Sequence, residues 1–145
     1  MNIQTAYFGE VKIDSTNILK FQYGLPGFEN EKEFILLPLE ENSTFQVLQS
    51  VQTAELAFII TNPYDITANY SFDIEEATIK ALQLEDEKEV VVFTIVSLKE
   101  TIAKSTVNLK APIVLNTTNK KAKQVILNNE DYSIRHLISS ESKEG

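Results

Sequence analysis

Nucleophilic and acid–base chemistry need a base beside the reacting group, and this chain of 145 residues offers a single histidine, His136, and no cysteine. His136 stands in Tyr132-Ser133-Ile134-Arg135-His136-Leu137, at the end of a candidate strand, where imidazoles ordinarily pack or face solvent. With one imidazole and no thiolate, a transition-metal site lacks ligands, and no calcium-loop spacing of carboxylates occurs. The carboxylates fall mostly in presumed turns such as Glu40-Glu41 or in an acidic run, and no two are set in environments that would separate their pKa values. Gly24-Leu25-Pro26-Gly27 is the one glycine-rich piece; it lacks the Lys and Ser/Thr of a phosphate-binding loop and reads as a turn. No catalytic residue, metal ligand or cofactor is therefore expected. What remains is the chemistry of binding.

Charge sets the kind of partner. Twenty-one acidic against thirteen basic side chains give a formal charge of −8, which repels polyphosphates and attracts basic surfaces. Direct nucleic-acid binding is not expected. Residues 75–89 carry Glu75, Glu76, Glu85, Asp86, Glu87 and Glu89 against Lys80 and Lys88, whereas 99–123 carry Lys99, Lys104, Lys110, Lys120, Lys121 and Lys123 against Glu100. The runs read either as solvated surface or as the two sides of a polar molecule. The N-terminal residues lack a basic and apolar leader pattern, and no stretch approaches the roughly 18 apolar residues of a membrane span. A cytoplasmic location away from membranes is expected, and the absence of cysteine suits a reducing compartment. Asn116-Thr117-Thr118 matches a glycosylation acceptor, a match that means nothing in such a compartment.

The elements that position these residues are mostly strands. Short apolar or alternating segments recur between turn residues, at 3–8, 18–21, 34–39, 45–51, 56–61, 90–98, 106–115 and 123–127, with a last edge strand at 132–137. Segments 56–60 and 90–96 are apolar at successive positions, so both their faces should be covered; 45–51 and 106–110 alternate more nearly, which leaves one face wet. One helix is expected over 74–84, with Asp73 as N-cap, Glu76 three residues on, and a stripe of Ile74, Ala77, Ala81 and Leu82. A shorter helical turn is expected at 29–33. The spacing reads as a β-sandwich or barrel, a small, mainly β, antiparallel single domain over 1–138, with the helix covering an open end or edge and a flexible tail at 139–145.

Phe21-Gln22-Tyr23-Gly24-Leu25-Pro26-Gly27-Phe28-Glu29 resembles a signature of the FliW family of flagellar assembly factors, and further blocks follow in order. These are Leu48-Gln49-Ser50; Phe58-Ile59-Ile60-Thr61-Asn62-Pro63 with Tyr70; Thr106-Val107-Asn108-Leu109-Lys110-Ala111-Pro112-Ile113-Val114; and Gln124-Val125-Ile126-Leu127 with Tyr132. The turn at 118–123 departs from the pattern in having no glycine. The resemblance implies a compact β-barrel-like protein, a monomer when free, with two partners. One is flagellin, held in the cytoplasm before export. The other is CsrA, a small RNA-binding regulator that represses flagellin synthesis and is antagonised when bound.

Three pieces are candidates for the partner surface. In 62–76, Tyr64, Tyr70 and Phe72 place aromatic area near Asp65, Asp73, Glu75 and Glu76, a mixture suited to an anchored contact with a basic rim; the same aromatics would also serve to pin the helix to the core. In the 24–29 turn, Leu25 and Phe28 read as core plugs before contact residues. In 116–127, Lys120, Lys121 and Lys123 would meet a more acidic partner such as flagellin, or form a solvated hairpin tip. A small enzyme or ligand carrier that uses a barrel interior is the alternative from another class.

Overall fold

The computed structural model describes residues 1–39 and 44–138; the expected tail at 139–145 and the Glu40-Glu41 turn lie outside them. The central strands form where β-branched and aromatic residues cluster, and the eleven strands among the described residues are β1 (Asn2–Thr5), β2 (Gly9–Lys12), β3 (Leu19–Phe21), β4 (Glu33–Pro38), β5 (Phe45–Ser50), β6 (Ala57–Thr61), β7 (Val90–Ser97), β8 (Thr106–Val107), β9 (Ile113–Asn116), β10 (Lys121–Gln124) and β11 (His136–Leu137). Strands β7-β6-β5-β4-β3-β10-β9 lie side by side, and β9 pairs back onto β7 through Val90↔Asn116 to Phe93↔Ile113, which closes a seven-stranded barrel. All neighbours are antiparallel except β3 and β10. Closure removes the exposed edges an open sheet would carry. The second half of β7 continues the sheet into β8 and β11, and β1 and β2 form a separate hairpin.

Strand alternation sorts the apolar residues into two cores. Every barrel strand contributes to the lumen: Leu19 and Phe21, Phe34, Leu48, Ile60, Val91, Phe93 and Ile95, Ile113 and Leu115, and Ala122. Their sequence neighbours Ile35, Val47, Ile59 and Val92 point the other way, into a second cluster with Ile3 and Ile13 of the hairpin, Ile66, Tyr70 and Leu109. Both faces of β6 and β7 are apolar for this reason.

Several expectations are corrected. Strand 3–8 stops at Thr5, and β2, which no apolar run announces, is its hairpin partner. Segment 106–115 is two strands, because β8 and β9 pair with different halves of β7. The 45–51 strand has no wet face at its end: Val47, Leu48, Gln49 and Ser50 are all buried. Its polar residues are buried because they are bonded. Gln49 Oε1 accepts from Ala6 N at 2.9 Å, Gln49 Nε2 donates to Ala54 O at 3.1 Å, and the Ser50 hydroxyl donates to Glu31 at 2.6 Å. At 29–33 there is no helical turn, only a reverse turn leading into β4.

The helix, α1, spans Glu76–Leu82, with an extended Glu75 as its N-cap and no side-chain cap bond. Asp73 lies outside the cap because the chain is still extended through Glu75, so the first turn starts later than expected. It buries Thr78 and Leu82, while Ala77 of the expected stripe is exposed. Its end is a Schellman motif: Gln83 takes φ 56°, its N–H donates to Lys80 O, and Leu84 N donates to Ile79 O at 3.0 Å.

Candidate functional site

The 62–76 segment is built around a ring stack. Asn62 Oδ1 accepts from Tyr64 N at 2.8 Å and starts a single 3-10 turn, Pro63–Asp65, in which Pro63 is buried. Ile66 then enters the outer core, and Tyr70 follows it, 2% exposed, its hydroxyl donating to Leu109 O at 2.7 Å. Around Tyr70 stand Tyr64 and Phe72, each at 5.7 Å between centroids, and Tyr132 at 4.7 Å. The Tyr132 hydroxyl accepts from Ser71 N and donates to Ser71 O, both at 2.9 Å. Such ring pairs add about 0.5–1.5 kcal/mol each beyond area burial, so the loop is held rigidly. Burial pushes the Tyr64 and Tyr70 phenols up.

On this frame the candidates separate. Tyr70 is an internal anchor and Phe72 is half-buried, whereas Tyr64 is 44% exposed. Asp65, Asp73, Glu75 and Glu76 are all exposed. The 62–76 segment thus exposes one aromatic ring, backed by the buried Tyr70, and four carboxylates. Tyr132 belongs to the stack and was missed; its sequence context reads as a strand start, and only its place in the last block of the resemblance marked it.

The 24–29 turn is structural at its root. Leu25 and Phe28 exchange backbone bonds across Pro26-Gly27, with Phe28 N donating to Leu25 O at 2.7 Å, and Leu25 is 2% exposed in the lumen. Phe28 is 41% exposed instead of plugging the core, one side of its ring lying edge-on to Phe58 at 5.6 Å. Glu31, just beyond, accepts from the Ser50 and Thr53 hydroxyls, which hold its carboxyl below its ordinary value.

The basic piece is divided. Lys120, at φ 66°, takes the left-handed position that a glycine would ordinarily occupy, and its Nζ donates to Thr117 O at 3.1 Å. Lys121 and Lys123 lie on β10 and line a different cleft, together with Lys20, which sequence reading passed over. Asn116 is 1% exposed and donates from Nδ2 to Leu82 O at 2.9 Å, while Asn119 donates to the same oxygen at 3.0 Å. The apparent glycosylation acceptor is therefore a buried tie between the β9–β10 turn and the end of α1. Among the described residues, no group of three or more His, Asp or Glu is placed to hold a metal ion, and no helix is long and apolar enough to cross a membrane.

Residues 2–138 match the sequence profile of the family described as FliW protein. The chain belongs to the FliW family. A flagellar assembly factor FliW of Oceanobacillus iheyensis is 49% identical over 140 residues, covering 97% of this chain and 95% of that one. The FliW of Bacillus subtilis is 44% identical over 142 residues, covering 98% and 99%. A crystal structure of the flagellar assembly factor FliW superposes with a TM-score of 0.90 at 36% identity, covering 95% of this chain and 96% of the other. The expected mainly β barrel with one helix is thus the FliW fold. The residues that carry the FliW resemblance are largely scaffold: Gly24 and Leu25 form the turn, Gln49 and Ser50 tie β5 to its neighbours, and the Tyr70–Leu109 bond joins two blocks.

Proposed function

We propose that this FliW-family chain acts in the cytoplasm by binding CsrA and relieving its repression of flagellin mRNA, and by holding flagellin as a chaperone-like partner, so that flagellin controls its own synthesis. The observation that carries the CsrA half is that Tyr64 and the carboxylates Asp65, Asp73, Glu75 and Glu76 of the same 62–76 segment are all exposed, in a chain of formal charge −8. An RNA-binding regulator must present basic surface, and an acidic protein docked beside that surface is attracted to it and lowers its potential for phosphate. A partner beside the RNA site acts through charge or shape without competing for the site. The buried ring stack supplies what such a contact needs, an aromatic anchor that loses little freedom on binding. The names of the relatives, all assembly factors, favour binding over catalysis.

The test is calorimetric titration of purified CsrA with this protein across salt concentrations. Affinity falls as salt rises, because opposed charges are screened over about 8–10 Å in moderate salt. Affinity independent of salt would remove the electrostatic part of the reading.

A further inference from the structure

Against the barrel wall, at the C-terminal end of α1, lies a cleft of about 370 Å³. Its floor is apolar, from Ala81 and Leu82, and its rim carries Lys20, Lys121, Lys123 and Tyr23. The lysines are placed against their own interest. Lys121 and Lys20 are direct partners across the parallel β10–β3 pair, and like charges facing each other across strands are destabilising. Lys123 follows on the same face of β10, its Nζ 5.8 Å from the centre of the Tyr23 ring, and Tyr23 is itself 59% exposed. Glu33 on β4 flanks Lys20 from its far side, and Glu29 shares the adjoining pocket with Lys123 and Tyr23, so two of these charges are partly offset and Lys121 is left without such a neighbour among the cleft's lining residues. The cleft remains a cationic site with an apolar floor on a strongly acidic protein.

We propose that this cleft docks an extended acidic segment of a partner protein, with carboxylates at alternate positions facing Lys121 and Lys123 and a neighbouring apolar side chain on the Ala81–Leu82 floor. The register supports it: residues two apart on a strand are about 6.7 Å apart, so the two lysines match the i and i+2 side chains of another extended chain. A polyanionic nucleic acid is disfavoured by the −8 charge of the whole protein, whereas a short acidic peptide feels mainly the local field. The inference rests on charge and register alone and stands whether or not flagellin supplies the segment. The test is fluorescence anisotropy on the full chain with a fluorescein-labelled peptide bearing glutamates at alternate positions beside a leucine. Binding weakens with salt, is lost when the glutamates are replaced by glutamine, and falls by about tenfold or more in Lys121→Glu/Lys123→Glu. The milder Lys121→Gln/Lys123→Gln variant, which relieves the lysine opposition and keeps the fold by thermal melting, also binds more weakly. Lys99→Glu, at an exposed position outside the cleft lining, binds as the parent does. Unchanged affinity in the β10 variants, an equal effect of Lys99→Glu, or tighter binding of a single-stranded RNA oligonucleotide than of the peptide would each overturn the proposal.

Discussion

At Gly24 the backbone takes φ 65°, and a Cβ built there would lie 2.6 Å from both Phe28 O and Glu29 O. Gly27 has φ 85° but open space around it. Gly24→Ala therefore combines left-handed strain, about 1–2 kcal/mol, with a collision against backbone that has nowhere to move, while Gly27→Ala bears the strain alone. Urea denaturation should show Gly24→Ala clearly the more destabilising; equal losses would contradict the turn geometry. Glu31 makes a prediction about pH. Its folded-state pKa is depressed by the Ser50 and Thr53 hydroxyls, so its contribution is present above the unfolded value, ordinarily near 4.5, and is lost as pH falls through the folded one. Glu31→Gln should lower the melting temperature at pH 7 and converge with the parent in acid. A constant difference across pH would mean that the hydroxyls do not favour the ionised form.

Helix α1 is seven residues long, too short to be stable alone, and it depends on what holds its end. Asn116 bonds Leu82 O and also accepts from Thr118 N at 2.9 Å, so Asn116→Ala leaves buried polar groups short of partners and should cost about 1–3 kcal/mol in chemical denaturation. In the same turn, Lys120→Gly should stabilise by a few tenths to about 1 kcal/mol, since relief of left-handed strain outweighs the added freedom of the unfolded chain. A loss of stability would show that the Lys120 side chain matters more than its backbone. This turn also shows where the sequence stops being legible. Strands rich in Val, Ile and Phe could be read from their own composition, whereas their spacing left sandwich and barrel open and only the family resemblance pointed to a barrel. Asn116 reads as an ordinary polar residue until the fold places it against a helix end 34 positions away. Asp73 fails as a cap because local cap chemistry competes with an extended path set by packing of the preceding loop. Among the site residues, acidity and aromaticity were visible. Which ring is buried was not, since Tyr64 and Tyr70 differ only in the neighbours supplied by Leu109 and Tyr132.

Opposite charges flank the two ends of α1, although the acidic Glu85, Asp86, Glu87 and Glu89 follow its C-terminal end in the chain. Glu75 and Glu76 stand at its N-terminal end and the lysine cleft adjoins Ala81 and Leu82 at its C-terminal end, a span of about 10 Å. Each acid contributes roughly 0.3–1 kcal/mol through the helix dipole, so Glu75→Gln/Glu76→Gln should shift thermal stability slightly while markedly weakening relief of CsrA–RNA binding in a gel-shift assay. A collapse of stability, or undiminished relief, would mean that the functional acids lie elsewhere. Two interfaces of about 800 Å² each would fit on a surface of 8748 Å², so area alone does not force competition. Proximity would, if CsrA takes the acidic end of α1 and flagellin the lysine cleft, because proteins seated at opposite ends of so short a helix touch. Any coupling must be reciprocal, each partner weakening the other by the same factor, and the proposed feedback operates only if capture of flagellin frees CsrA. The most direct measurement is titration of purified flagellin into the preformed complex with CsrA, followed by size-exclusion chromatography and by anisotropy of labelled CsrA. Flagellin is expected to displace CsrA; a stable ternary complex with both affinities unchanged would contradict the proposed feedback.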